Sequence, residues 1–170
     1  MQQQPKNPVW KPPDPRQVKT NFDGAIFEDL QEAGIGVIIR NSKGEVLAAL
    51  SKRIPTPSSV VILESFAARR AAQFIHEIGL RSSIFNSDST TSISALRGRT
   101  LLHSSSSHLI KDILSLASSL QSFSFSHTYR QDNALVDAFA KRARRFSLVW
   151  MESILLNLYN CYLSDFQFMK

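Results

Sequence analysis

Between residues 18 and 54 a strand-like pattern occurs three times, and the links between the runs are too short to carry the chain back across a sheet. The runs are VKTNFDGAIF (18–27), GIGVIIRN (34–41) and EVLAALSKRI (45–54). NSKG (41–44) is a short glycine-containing connection of the kind that closes a hairpin. EDLQEAG, between the first two runs, is also short and polar. Parallel neighbours need a crossover of about a dozen residues or more, so the three runs are expected as an antiparallel meander.

The period then changes. From residue 57 to 80, Val60, Leu63, Ala67, Ala71, Phe74 and Ile78 recur at steps of three and four, which is one helical stripe. Ser58 or Ser59 can cap its start and Gly79 can end it. A β-like run follows at 83–85, ending in NSDS (86–89). Then come a short helix (90–96), a longer one (about 106–120), a strand (123–129) and a helix (133–145). The order βββ-α-β-α-α-β-α predicts an α/β fold, a mixed sheet with helices on its faces. Residues 1–15, rich in Gln and Pro, are expected to be extended or disordered; residues 16–146 form the domain. Residues 147–170 are apolar enough to pack on it as a helical tail.

The charge balance favours polyanionic partners without demanding them: the net charge is +6 and the pI near 9.8. No window holds about 18 uninterrupted apolar residues, so no membrane span is expected. The first residues lack the apolar segment of a secretory signal. Cys161 is the only cysteine, which excludes an internal disulfide and a cysteine-based zinc site. An intracellular location, nuclear or cytoplasmic, and a monomeric state are expected.

Four acids stand in unusual places. Asp23 interrupts a strand, where aspartate is depleted. Glu64 borders the buried stripe of the first helix, with Val60, Ala67, Ala68 and Ala71 around it. Asp88 follows the fourth strand, where an α/β sheet presents its ligand crevice. Asp137 lies next to the apolar row of the last helix. Each also has a plain structural reading. Asp23-Gly24 can turn a hairpin, Glu64 can sit in solvent near Arg69 or Arg70, Asp88 can cap a helix, and Asp137 can pair with Lys141. If the four gather, they repel by several kcal/mol per pair at about 4 Å and an effective dielectric of about 20. Cations must then hold them, and oxygen-only ligands suit Mg²⁺ or Mn²⁺.

The ordered set WKPP (10–13), VKTNFDGA (18–25), AGIGVIIRNSKGEV (33–46), E-x-x-A-A (64–68), NSDS (86–89) and SHTYRQDNALVDAFAKRA (126–143) resembles the ribonuclease H type 1 family, in particular its plant, retroelement-derived reverse-transcriptase-like branch. That resemblance implies a mixed five-stranded sheet, three antiparallel strands and then two parallel ones, flanked by helices. It implies that Asp23, Glu64, Asp88 and Asp137 are catalytic and bind two Mg²⁺ ions, with Mn²⁺ as an alternative. Asp23 would bridge the ions, Glu64 and Asp88 would complete one site, and Asp137 the other. Two such ions activate a water and stabilise the leaving oxygen of a phosphodiester.

The family's loop histidine, which assists proton transfer or product release, matches His127 by position. The strand at 123–129 includes His127, so Arg130 is the other candidate for a charged group near the phosphate. The resemblance further implies an RNA–DNA hybrid as the partner, read by shape and by 2′-hydroxyls. Lys52, Arg53, Arg69 and Arg70 are then candidate phosphate contacts. Gly24 is expected to leave room for the hybrid's backbone. The implied activity is endonucleolytic hydrolysis of the RNA strand. The alternative is a catalytically silent nucleic-acid-binding module of the same fold. A purely structural domain, or an exonuclease on a related fold, fits less well, since the latter's first strand would carry Asp-x-Glu where Asp23-Gly24-Ala25 stands.

Overall fold

The computed structural model describes residues 12–98 and 104–151. The lead as far as residue 11, residues 99–103, and the tail after residue 151, with Cys161, lie outside the described residues. The meander forms as expected: β1 (Val18–Phe27), β2 (Glu32–Arg40) and β3 (Val46–Pro55) pair antiparallel in sequence order. A 3-10 turn at Glu28–Leu30 joins the first two, with Gln31 in the left-handed conformation. Helix α1 (Val60–Glu77) starts at Ser59, whose hydroxyl accepts the Ile62 N–H at 3.2 Å. Gly79 follows its end with φ +77°, a conformation glycine adopts without a steric penalty.

Strand β4 (Ser82–Ser87) then pairs parallel to β1, and β5 (Ser122–His127) pairs parallel to β4. Between them lie α2 (Thr90–Leu96) and α3 (Ser104–Ser118), and α4 (Ala134–Arg142) follows β5. One expectation fails here. The tail does not begin as a helix: Leu148–Met151 is a sixth strand, β6, antiparallel to β3 with Ala48 opposite Met151 and Ser51 opposite Leu148. The sheet order is therefore β5-β4-β1-β2-β3-β6, six strands rather than five. The free edge of β3 offers unpaired backbone groups, and LVWM has the branched and aromatic residues that suit an extended strand.

Both faces of the sheet are covered, which is why every residue of β2 from Ala33 to Ile39 is buried. Phe22, Ile35, Val37 and Ile39 pack with α1 and α3 in the larger core. Ile38 and Ala49 face the other way, towards Val136 and Phe139 of α4. Three glycines let the two helices come close. A Cβ on Gly24 would stand 2.5 Å from Leu63 Cγ of α1. Cβ atoms on Gly34 and Gly36 would stand 2.0 Å from the Ala140 carbonyl oxygen and 2.4 Å from that of Val136, both in α4. The Ser51 hydroxyl adds a buried 2.6 Å hydrogen bond to the Phe139 carbonyl, tying α4 to β3.

Candidate active site

The β1–β4 ladder ends at Asn21 opposite Asn86, and Asp23 and Asp88 each follow two residues later. Beyond that rung lies an open cavity of about 960 Å³ lined by Asp23, Glu64, Asp88 and Asp137. Asp23 comes from the middle of β1, Glu64 from the first turns of α1, Asp88 from just after β4 and Asp137 from α4. Strand β1 runs straight through Asp23 and Gly24, so no hairpin turns there. Glu64 is only 7% exposed, and Arg69 and Arg70 face Asp112 and Glu77 instead. Ser89, not Asp88, caps α2 by accepting the Ser92 N–H at 3.2 Å. Asp137 does pair with Lys141, at 2.8 Å, and lines the cavity as well.

Gly24 also has a packing role. Its missing side chain is the space that Leu63 fills, while Gly24 itself still lines the open cavity. This close packing brings the neighbouring Glu64 beside Asp23, and the Gly24 N–H donates to Asp23 Oδ1 at 2.9 Å. The carboxylates then perturb one another. Burial above all, and next the charge of Asp88, push the Asp23 carboxyl up to about 7. Burial, followed by Asp23 and Asp88, pushes Glu64 up to about 8. Both carboxyls therefore resist giving up their protons more than free side chains do.

The rim is cationic and aromatic. Arg130 Nε lies 3.8 Å from Asp88 Oδ2, and its side chain is almost wholly exposed. Lys141 and Arg144 complete the basic lining; Arg144 forks onto Asp29 and stacks over Phe27. His127, the last residue of β5, is exposed and meets Tyr129 edge-on at 6.0 Å. Both line the cavity. The other basic candidates lie elsewhere. Lys52, Arg69 and Arg70 border a second depression of about 390 Å³ with Phe66 and Ile54. Arg70 holds Glu77 through two hydrogen bonds of 3.0 and 2.9 Å, and Arg53 holds Glu32 at 3.0 Å.

Among the described residues, no three His, Cys, Asp or Glu side chains are already gathered as a metal cage. The donor chemistry of the cavity nevertheless fits a hard divalent cation. Its acids offer only oxygen, and Glu64 Oε2 is buried without a hydrogen-bond partner.

A mixed parallel and antiparallel sheet with helices on both faces, and acids from a strand, a strand end and two helices lining one cavity, defines the ribonuclease H-like class. Solved structures of this fold include ribonuclease H1 from the halophilic archaeon Halobacterium salinarum NRC-1, at TM-score 0.70 and 21% identity over 75% of this chain and 97% of that one. The N-terminal RNase H domain of a Mycobacterium tuberculosis protein aligns at TM-score 0.66 and 21% identity, over 75% and 92%. LC11-RNase H1, solved with an RNA/DNA hybrid, aligns at TM-score 0.67 and 21% identity, over 74% and 95%. No curated protein sequence matches the chain. The sequence profile of the reverse transcriptase-like family matches residues 21–143, and the chain belongs to that family.

Two groups escaped sequence reasoning. Tyr129 carries no periodic signal, because it lies in the short connection after β5. Gly34 and Gly36 were legible in part: glycine inside a strand marks a close backbone approach, here that of α4.

Proposed function

We propose that this chain is an endonuclease that hydrolyses the RNA strand of RNA–DNA hybrids. The observation that carries this reading is the meeting of four carboxylates from four separate elements in one open cavity at the strand ends. The hybrid in the LC11-RNase H1 structure supports the choice of ligand. Two Mg²⁺ ions, or Mn²⁺, held by Asp23, Glu64, Asp88 and Asp137 supply the Lewis acidity that activates water and stabilises the leaving 3′-oxygen.

The chain's own groups do the rest. Asp23 and Glu64, poised near neutrality by burial, give up their protons to become oxygen ligands at slightly alkaline pH. Arg130, Lys141 and Arg144 draw the phosphate backbone to the rim. Ile26 and Val60, exposed on the cavity wall, give a sugar an apolar surface, and His127 and Tyr129 add aromatic lining to the same cavity. His127 is the proposed proton carrier at the departing product. Lys52, Arg53, Arg69 and Arg70 contribute long-range attraction rather than contacts at the reacting phosphate.

The test is cleavage of an end-labelled hybrid with Mg²⁺ by the wild type and by Asp23→Asn. Internal cuts in the RNA strand by the wild type alone are expected. Hybrid binding without cleavage would mark a silent binding module instead.

A further inference from the structure

We propose that Asn21 and Asn133 form a buried positioning bridge that sets Asp23 against Asp137 and thereby governs divalent-cation affinity; this rests on the metal-dependent reading of the cavity. Asn21 is 5% exposed and Asn133 1%. The Asn21 amide donates to Asn133 Oδ1 at 3.0 Å, and the Asn133 amide donates to the Phe22 carbonyl at 3.5 Å. Both bonds join segments more than a hundred residues apart in sequence.

The placement is what makes the bridge more than a core contact. Asn21 and Asp23 alternate onto one face of β1, and Asn21 stands on the last rung of the β1–β4 ladder, opposite the buried Asn86. Asn133 immediately precedes α4. Asparagine there ordinarily caps the helix, yet Asn133 makes no side-chain cap and turns into β1. Its carbonyl accepts the Asp137 N–H at 3.0 Å, and its own N–H reaches the Tyr129 and Arg130 carbonyls at 3.2 and 3.1 Å. One residue therefore fastens the strand just before Asp23, the helix one turn before Asp137, and the loop that carries Arg130. A matched pair of apolar side chains would fill this space with comparable stability. What two mutually satisfied amides add is a fixed separation and orientation.

The experiment uses the full chain and four variants: Asn21→Ala, Asn133→Ala, the double variant, and Ser83→Ala. Ser83 shares a buried 2.7 Å hydrogen bond with Thr20 in the same ladder, so its removal controls for general loosening. Mn²⁺ alone is titrated by calorimetry well below each variant's melting temperature, and kcat and KM are measured on a hybrid. Each single asparagine variant should weaken Mn²⁺ binding about 10-fold. The double variant should be no weaker than either single one, because both delete the same bridge. Ser83→Ala should melt earlier yet bind Mn²⁺ as the wild type does, and kcat should fall in the asparagine variants with KM little changed. Wild-type Mn²⁺ affinity in either single variant, or additive losses in the double one, overturns the proposal. Should Asn133→Ala not fold, Asn133→Ser offers a hydroxyl able to cap α4 but lacks the reach to Asn21, and it takes its place. A wild type that binds Mn²⁺ without cutting hybrid overturns the nuclease reading and leaves the bridge standing if the affinities still differ. A wild type that binds no Mn²⁺ overturns both.

Discussion

Gly36 lies directly opposite Asp23 across the β1–β2 ladder, and the place of its missing side chain is taken by the backbone of α4. A Cβ at Gly36 would meet the Val136 carbonyl at 2.4 Å and the Ala140 nitrogen at 2.6 Å. The strand that presents one carboxylate is thus flanked by the glycine that admits the helix bearing another. On the opposite face Gly24 admits Leu63 and, with it, Glu64. The cavity depends on these approaches as much as on its acids.

Gly36→Ala should therefore damage both stability and activity. Backbone atoms cannot rotate away as a side chain can, so α4 must lift. The expected loss is about 1–3 kcal/mol, as for overpacked cores, measured by denaturant unfolding. Hydrolysis should fall further than folding alone explains, because Asp137 moves with the helix. Gly36→Ala with wild-type stability would contradict the close approach.

Asp23→Asn should abolish hydrolysis and yet stabilise the metal-free protein at alkaline pH. The ordinary carboxyl values are 3.8 for Asp and 4.5 for Glu, whereas here Asp23 lies at about 7 and Glu64 at about 8. Between those limits the native state binds more protons than the unfolded chain, so stability falls as pH rises through the window. Below the window both groups are protonated in either state and no penalty remains. The penalty above it is on the order of a few kcal/mol for each group. In chelator, the wild-type melting temperature should drop between about pH 5 and pH 8. Asp23→Asn should show a shallower drop, and added Mg²⁺ should restore the wild type selectively.

Lys141→Met should leave folding almost untouched, because an exposed pair one helical turn apart contributes little. Its effect should appear in substrate binding. The KM for a hybrid should rise, and the slope of log affinity against log salt should shrink by about 1. An unchanged salt slope would remove Lys141 from the phosphate path.

Arg130→Gln and Arg70→Gln should separate the two basic regions. Arg130 reaches over the carboxylate cavity, exposed and 3.8 Å from Asp88, whereas Arg70 is held by Glu77 and stacked over Phe74 away from it. The first change should raise KM for a hybrid several-fold more than the second. Steady-state kinetics at one fixed salt concentration decides it, and the reverse order would move the substrate towards the second depression.

The sequence by itself determined the order of the first five strands and the helices between them, and it marked four acids standing in unusual places. Apolar spacing is a local property, and it reports directly which face of a segment is buried. Strand β1 was legible to the residue, and the helix over 57–80 was legible up to fraying at its ends, since Ser59 and Gly79 carry the signals for its start and stop. Asp23, Glu64, Asp88 and Asp137 were legible only as an ordered set, because no spacing between residues 23 and 137 encodes a distance in space. Tertiary structure alone decided that residues 148–151 extend the sheet, since an edge strand owes its form to the ladder it joins. It also decided that Gly24 serves a helix, and that Asn133 abandons its cap for Asn21. Each of these is a choice between two partners for one group, and the winning partner lies far away along the chain.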